Sequence, residues 1–178
     1  MRRLIVRVLP LALVLCVLGE SGCKSRRRQR VEVVEEENAG LSSRISMSSP
    51  KAAVQLIKGF HEPEGIWRWT WGRFVFTLKV PPGAPEKGGT FTLQVTVPEV
   101  VVKNVQSTSL ACTVNGQAIA PETFSKVGEY FVKRDIPAAA LSAEAATFDC
   151  VLSKFIASGA LEERELGLIA TSASLESK

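Results

Sequence analysis

The chain has 178 residues, of which 46% are hydrophobic and 22% charged, and a formal net charge of +4. This length predicts a single folded domain. Residues 1–50 hold nine of the 22 Lys and Arg and five of the 18 Asp and Glu, whereas residues 51–178 hold thirteen of each. The folded part therefore carries no net positive charge, which argues against nucleic acid as a partner.

Residues 1–22 are typical of a secretory signal peptide. Three arginines near the start form a positive end, residues 8–18 are apolar, and small and polar residues follow. An apolar stretch of about eleven residues is too short to span a bilayer stably. We therefore predict an exported protein of the cell envelope.

The end of this leader, GESGC at residues 19–23, resembles the lipobox of bacterial lipoproteins. In that family the leader is cut before a cysteine that carries lipid. Ser21 and Gly22 match the required small residues, while Glu20 departs from the usual leucine. The resemblance implies that Cys23 is the lipid attachment site and that the chain is anchored to a membrane. The alternative is cleavage after a small residue such as Ser21, which would give a soluble secreted protein.

Residues 23–50 are predicted to form a disordered, charged linker. They contain charge blocks and serines without sustained apolar periodicity, and such a chain cannot bury a core. Arginines at positions 26–28 and 30 would lie beside the lipid anchor, where anionic headgroups attract basic residues. Alternatively, these arginines only keep the linker solvated.

Residues 51–178 alternate between apolar and polar side chains with a period of two, as half-buried strands do. The clearest case is residues 90–97, where Phe91, Leu93 and Val95 share one face. The other strands are predicted at residues 54–60, 74–80, 99–105, 110–114, 129–136, 146–152 and 166–175, with a return strand starting at Ile119. About nine short strands without a long helix predict an antiparallel β-sandwich of the jelly-roll type, with a closed barrel as the alternative.

The connections are predicted from turn-forming residues. Asn115-Gly116 indicates a tight hairpin, because both residues tolerate a positive φ. Residues 121–128 are predicted to be a loop, and residues 71–73 a turn that leads into the strand starting at Phe74. Within residues 54–60, the alternation places Val54, Leu56 and Phe60 on one face.

Two cysteines remain for pairing if Cys23 carries lipid. Cys112 and Cys150 both fall on inward strand faces, and an exported protein folds in an oxidising compartment. We therefore predict a Cys112–Cys150 disulfide. The alternative is two separate buried thiols that act as small apolar side chains.

Several short motifs occur together in a recognisable order: Gly59-Phe60, Glu64, Arg68-Trp69, Val114-Asn115-Gly116 and RELGL at residues 164–168. This order resembles a β-sandwich module of bacterial exported proteins that is also attached to some glycan-handling enzymes. The resemblance covers about residues 54–176. It implies a jelly-roll-like fold and association with carbohydrate, and the cysteine pair is not part of it.

The candidate binding residues come from the stretch that holds all three tryptophans and the only histidine. If residues 66–70 form a strand, Trp67 and Trp69 share one face. Indole faces can stack on sugar rings while polar side chains hold the hydroxyl groups. The polar candidates are His61, Glu64, Arg68 and Arg164.

The same residues also allow a purely structural interpretation. The two tryptophans would then belong to the core, and an ion pair of Arg68 with Glu64, or of Arg164 with a glutamate, would join the first and last strands. The first interpretation predicts a carbohydrate-binding envelope protein with an exposed Trp67 or Trp69. The second predicts a structural or protein-interaction lipoprotein with buried tryptophans and no small-molecule ligand.

Catalysis, cofactors and metals find no support in the sequence. A single histidine cannot form a cluster of imidazole ligands, and the sequence has no Gly-x-Ser-x-Gly elbow and no phosphate-binding loop. Glu62 and Glu64 form the only carboxylate pair near the tryptophans, but they flank a proline in a predicted turn. We therefore predict a non-catalytic protein without a cofactor.

Overall fold

The computed structural model describes residues 40–178. The predicted signal peptide, the predicted lipid attachment site at Cys23 and most of the predicted linker lie outside the described residues. In the described part of the chain, no helix has both the length and the apolar character needed to cross a membrane.

Ten strands and four short helical segments make up this part of the chain. The strands are β1 (Arg44–Ser46), β2 (Leu56–Phe60), β3 (Arg68–Lys79), β4 (Gly89–Val97), β5 (Thr108–Val114), β6 (Gln117–Ala118), β7 (Glu122–Phe124), β8 (Gly128–Ile136), β9 (Ala145–Leu152) and β10 (Ile169–Ser177). The α-helices are α1 (Ala84–Lys87) and α2 (Glu99–Val105), and the 3-10 turns are Pro50–Ala52 and Ala138–Leu141.

The strands form two antiparallel sheets. Sheet A has the order β1–β10–β4–β8, and sheet B has the order β2–β3–β9–β5, with β6 and β7 both paired to β5. The start of β3 also pairs with β10, which links the two sheets. The two sheets pack face to face. Their contact is seen at Phe91 of sheet A, whose ring stacks on that of Phe148 of sheet B with centroids 4.2 Å apart. The predicted antiparallel β-sandwich is therefore confirmed.

The core follows the alternation seen in the sequence. In β4, Phe91, Leu93 and Val95 are fully buried, while the residues between them are partly exposed. Each apolar side chain of this size stabilises the fold by about 1.5–3 kcal/mol when it leaves water. The Asn115-Gly116 hairpin is confirmed as well, since both residues have positive φ values of 48° and 84°.

The predicted disulfide is also confirmed. Cys112 of β5 lies directly opposite Cys150 of β9, and their sulfurs are bonded across the two strands. Both cysteines are buried, as the alternation predicted. The two residues are 38 positions apart in sequence. Closing a loop of this length stabilises the folded state by up to about 4 kcal/mol in the chain-entropy model.

The structure corrects the prediction of a strand at residues 99–105, which form helix α2 instead. Pro98 precedes the helix, and Glu99 pairs with Lys103 one turn later at 2.8 Å. The β-branched valines gave the segment its strand-like sequence. Helix α2 connects β4 of sheet A to β5 of sheet B, and Val101 of this helix is buried in the core. Tertiary packing therefore overrides the β-propensity of the valines.

Other corrections concern the boundaries of the fold. The predicted linker, residues 23–50, includes β1, which pairs with β10 and buries Ile45 and Met47. The predicted loop at residues 121–128 contains β7. Val54 was predicted to face inward but is 61% exposed, because it precedes β2 and lies in a turn. The last strand begins at Ile169 rather than at Leu166.

Candidate functional site

Two distant stretches of sequence are joined along the start of β3. The backbone N–H of Thr70 donates to the carbonyl of Leu168, and the N–H of Gly167 donates to the carbonyl of Thr70, both at 2.7 Å. The Thr70 hydroxyl accepts a further hydrogen bond from the Leu168 N–H. At Gly167 the chains approach so closely that a Cβ would lie 2.6 Å from the Trp71 carbonyl oxygen. We call this junction of residues 59–72 with residues 164–168 the motif seam.

Glu165 adds two contacts to the motif seam. Its carboxylate accepts a hydrogen bond from the Gly72 N–H at 2.6 Å, and its backbone carbonyl lies 2.6 Å from His61 Nε2. The His61 ring also lies beside the Trp71 indole, with centroids 6.0 Å apart. The candidate binding residue His61 is therefore engaged within the protein.

Arg164 and Glu64, two further candidates, form an ion pair with each other. Arg164 Nη1 lies 2.6 Å from the Glu64 carboxylate, and its Nε lies 2.7 Å from Glu162. The hydrogen bond to Glu64 is the main reason why the pKa of Arg164 is raised above its usual value. This pair joins the two stretches of the motif seam, and as a half-exposed pair it contributes little to stability.

Arg68 is a structural link. Its guanidinium is almost buried and donates to the Met47 carbonyl at 2.6 Å and to the His61 carbonyl at 2.9 Å. Its nearest carboxylate is that of Glu62 at 3.9 Å, and not that of Glu64. These hydrogen bonds hold the segment after β1 against the start of β3, and they engage the polar groups of Arg68 inside the protein.

Trp67 and Trp69 pack against each other at the edge of the core. Trp69 is 8% exposed, Trp67 is partly buried, and their rings meet edge to face with centroids 6.3 Å apart. An indole as buried as that of Trp69 has no free face on which a sugar ring could stack. The two tryptophans that the sequence brought forward therefore fit the structural interpretation better than the binding one.

Trp71 is the tryptophan that reaches solvent, with 45% of its surface exposed. The predicted turn at residues 71–73 is wrong, because β3 continues through these residues without a break. Trp71 and Arg73 consequently lie two residues apart on one face of the strand. The sequence did contain a signal for this, since the alternation of the strand after Phe74 already placed Arg73 outward and could be extended back to Trp71.

Arg73 is held by Asp149 of the neighbouring strand β9. The two side chains form a bidentate ion pair, with Nε–Oδ1 and Nη2–Oδ2 distances of 2.9 and 2.6 Å. The hydrogen bond from Arg73 lowers the pKa of Asp149, and the same bond raises the pKa of Arg73. Asp149 is therefore a carboxylate at neutral pH, with its orientation fixed by a planar guanidinium.

A shallow groove of about 460 Å³ lies on this outer face of sheet B, beside the ion pair. The Arg73–Asp149 pair borders one side, and Ile119 and Pro121 border the other. The strands between them carry small residues here, including Ala111. The groove crosses the four neighbouring strands β3, β9, β5 and β6, so at the usual spacing between strands its length is about 14 Å. Trp71 does not line this groove itself, but it lies two residues before Arg73 on the same strand face. We call the groove, together with Trp71, the Trp71 groove.

No three His, Cys, Asp or Glu side chains in residues 40–178 are grouped so that they could hold a metal ion. Among the same residues, Asp149 is the only carboxyl group that lines the Trp71 groove.

No protein-family model matches the chain, and no curated protein sequence matches it. Solved structures show distant similarity. A Paenibacillus sp. cycloisomaltooligosaccharide glucanotransferase complexed with cycloisomaltoheptaose has a TM-score of 0.42 at 10% identity, and covers 75% of this chain. The chain spans only 18% of that enzyme.

Two carbohydrate-binding modules are similar over most of their own length. The CBM36-1 domain of a multidomain xylanase from the hindgut metagenome of Trinervitermes trinervoides has a TM-score of 0.38 at 10% identity, covering 74% of this chain and 92% of the module. A family 35 carbohydrate-binding module from an environmental isolate has a TM-score of 0.38 at 18% identity, covering 80% and 90%. Similarities this distant assign no function to the chain.

Proposed function

We propose that this chain is a non-catalytic carbohydrate-binding domain whose ligand lies in the Trp71 groove. The observation that carries the proposal is the placement of a half-exposed indole two residues before a bidentate ion pair on the same sheet face. An indole offers a flat apolar surface to the C–H groups of a sugar ring. The adjacent ion pair offers both hydrogen-bond donors and acceptors for hydroxyl groups.

The ion pair suits neutral sugars in particular. Arg73 and Asp149 compensate each other's charge, so a ligand that binds beside them needs no charge of its own. Because each side chain orients the other, little conformational entropy is lost when the ligand binds. The small side chains across β9 and β5 leave room for a chain of sugars longer than one ring.

Binding without hydrolysis is supported by the carboxyl groups. Glycoside hydrolysis generally needs two carboxyl groups, one of which must be protonated to act as an acid. Among the described residues, one carboxyl group lines the groove, and both of its oxygens accept hydrogen bonds from Arg73. The lowered pKa of Asp149 keeps this carboxyl group ionised.

The proposal places the domain outside the cytoplasm, on a lipid anchor at Cys23. The Cys112–Cys150 disulfide supports an oxidising compartment, where such bonds persist. Labelled palmitate should be incorporated into the wild-type chain and not into Cys23→Ala. Absence of labelling in the wild type would contradict the anchor without affecting the proposed groove.

The binding proposal is tested by a glycan array, followed by titration of the best neutral oligosaccharide. We expect Trp71→Ala and Arg73→Ala each to weaken binding about tenfold or more. The first removes the indole that stacks on a sugar ring, and the second removes hydrogen bonds to the hydroxyl groups. Leu161→Ala is the matched control, since it truncates an exposed apolar side chain away from the groove. Binding that survives Trp71→Ala, or that falls equally in the control, would contradict the site.

A second function is favoured by the environment of the other candidates. The other candidate side chains are all engaged in contacts within the protein; they are Trp67, Trp69, Arg68, Glu64 and Arg164. This arrangement fits a structural or protein-interaction envelope lipoprotein without a small-molecule ligand. Iodide quenching distinguishes the two functions, because a sugar in the groove would protect the exposed indole of Trp71. If no glycan changes the quenching, the second function is the better one.

A further inference from the structure

Strand β8 is the last strand of sheet A. It pairs with β4 along its whole length, from Gly128 to Ile136, without a register shift. Within residues 40–178, no strand pairs with its other edge. Proteins usually blunt such edges with prolines, bulges, very short strands or charged side chains. β8 has nine residues without a proline or a bulge, and its exposed charges alternate in sign along the strand. A regular open edge can pair with a strand from another chain.

The inner side of β8 is held firmly by the rest of the sandwich. The Arg134 guanidinium donates to the carbonyls of Ala120 and Pro121 and pairs with the Glu122 carboxylate at 2.7 Å. The Tyr130 ring packs edge to face on Phe124. These contacts fix the edge strand in place, so that an approaching strand would meet an ordered backbone.

The outward side chains of β8 form a pattern of charge and apolar surface. They are Glu129, Phe131, Lys133 and Asp135, which are all exposed. Phe131 is 64% exposed, an unusual position for a large aromatic side chain in the middle of a sheet edge. A negative and a positive residue therefore stand at equal distances on either side of this phenylalanine.

We propose that two copies of this chain pair antiparallel through β8, around a two-fold axis at Phe131. In this register Phe131 lies opposite Phe131 of the second copy, which forms a cross-strand aromatic pair. Glu129 lies opposite Lys133 of the second copy, and by symmetry this ion pair occurs twice. The partner is thus a second copy of the same edge, and the proposal does not depend on the Trp71 groove.

Neighbouring registers are unfavourable, and this is the reason for choosing the axis at Phe131. An axis at Val132 would place Glu129 opposite Asp135, and an axis at Lys133 would place two lysines opposite each other. Like charges directly opposite destabilise a strand pair. An axis at Tyr130 would place Phe131 opposite Glu129.

Two existing contacts are compatible with the pairing. The Glu129 carboxylate accepts a hydrogen bond from Gln94, which holds it on the outer face. The Lys133 carbonyl accepts a hydrogen bond from Arg134 at 2.8 Å, and a carbonyl oxygen has a second lone pair for a partner strand. The dimer would join two copies of sheet A into one continuous sheet. One strand edge is a small contact, so we expect a weak dimer that dissociates on dilution.

The decisive test is charge reversal, with the dimer dissociation constant of the full-length chain measured by analytical ultracentrifugation. Glu129→Lys and Lys133→Glu should each raise the dissociation constant about tenfold or more, because each converts two ion pairs into repulsions. The double variant should return it close to the wild-type value. Glu163→Lys, a reversal on an exposed loop residue, is the control and should leave it unchanged.

Cysteine cross-linking tests the register independently. Phe131→Cys should form a covalent dimer on mild oxidation, because residues directly opposite each other have Cα atoms within disulfide range. Lys133→Cys should not, because its Cα would lie about 14 Å from its copy in this register. A wild-type chain that stays monomeric at all concentrations would overturn the proposal. Equal cross-linking of the two variants, or a double reversal that fails to restore the dimer, would overturn the register.

Discussion

Trp69 and Trp71 lie two residues apart on one strand, and they differ sharply in environment. Trp69 is 8% exposed and packs against Trp67, whereas Trp71 is 45% exposed. Arg68, directly before Trp69, and Arg73, two residues after Trp71, show the same contrast. Arg68 bonds to backbone carbonyls inside the protein, while Arg73 forms a surface ion pair with Asp149. The tryptophan and arginine at the start of β3 thus pack inside the protein, whereas the tryptophan and arginine further along the same strand face solvent.

The difference arises from what covers each part of the strand. At the start of β3, the pairing with β10 and the segment after β1 lie against the chain. Beyond Gly72 the strand is flanked by β2 and β9, and its outer face carries Arg73 beside Asp149. Which tryptophan reaches solvent is therefore decided by chain segments 21 and 98 residues away in sequence.

The largest expected effect is a difference in the free energy of unfolding between variants of the two tryptophans. Trp69→Ala should lower the free energy of unfolding by about 3–5 kcal/mol, because it leaves a cavity at the edge of the core. Trp71→Ala, the matched control, should lower it by less than about 1 kcal/mol, since half of its surface is already in water. Denaturant titration of both variants measures the contrast. Equal losses would show that the two positions are not packed differently.

The motif seam is tested by adding one methyl group. Gly167→Ala should cost about 1–3 kcal/mol, because its Cβ would lie 2.6 Å from both the Trp71 carbonyl oxygen and the Thr70 hydroxyl. Gly72→Ala is the comparison, since the three atoms nearest to its Cβ would all belong to the partly exposed Phe155 side chain, which can move more readily than the backbone at Gly167. Thermal unfolding should therefore rank Gly167→Ala as the less stable variant, and the reverse order would contradict this account of the seam.

The smallest expected effect concerns pH and the surface ion pair. The pKa of Asp149 is lowered in the folded state, mainly by its hydrogen bond from Arg73. The pair therefore stabilises the fold fully above the unfolded-state pKa of about 4, and this contribution is lost as the pH falls through the lower folded-state pKa. The stability difference between the wild type and Asp149→Asn should be constant near neutral pH and shrink below about pH 4. A difference that persists at low pH would mean that the carboxylate charge is not its cause.

Sequence reasoning identified two stretches that the fold brings together, but it left the role of each residue in them open. It identified the stretches at residues 59–71 and 164–168, which the fold brings into direct contact. It also left open that Arg164 pairs with a glutamate, and the structure identifies this partner as Glu64. It named Trp67 and Trp69 as binding candidates with the core as the alternative, and it treated Trp71 as part of a turn, because the strand was taken to start only at Phe74.

Asp149 could not have been chosen from the sequence. It occupies an ordinary outward position in β9, and only the register of β9 against β3 brings it within 2.6 Å of Arg73. The helix at residues 99–105 was missed for a similar reason, since its valines favour a strand locally. The contact that places Asp149 beside Arg73 joins residues 76 positions apart in sequence.

The sequence by itself determined the two-sheet architecture, the tight hairpin at Asn115-Gly116 and the disulfide. Alternation sets which side chains face inward, the two cysteines included, and the need for a positive φ selects the turn residues. The tertiary structure alone decided which tryptophan reaches solvent, which carboxylate meets Arg73 and which strand is left as an open edge. These outcomes depend on strand order and register, and alternation within a strand carries no information about its neighbours.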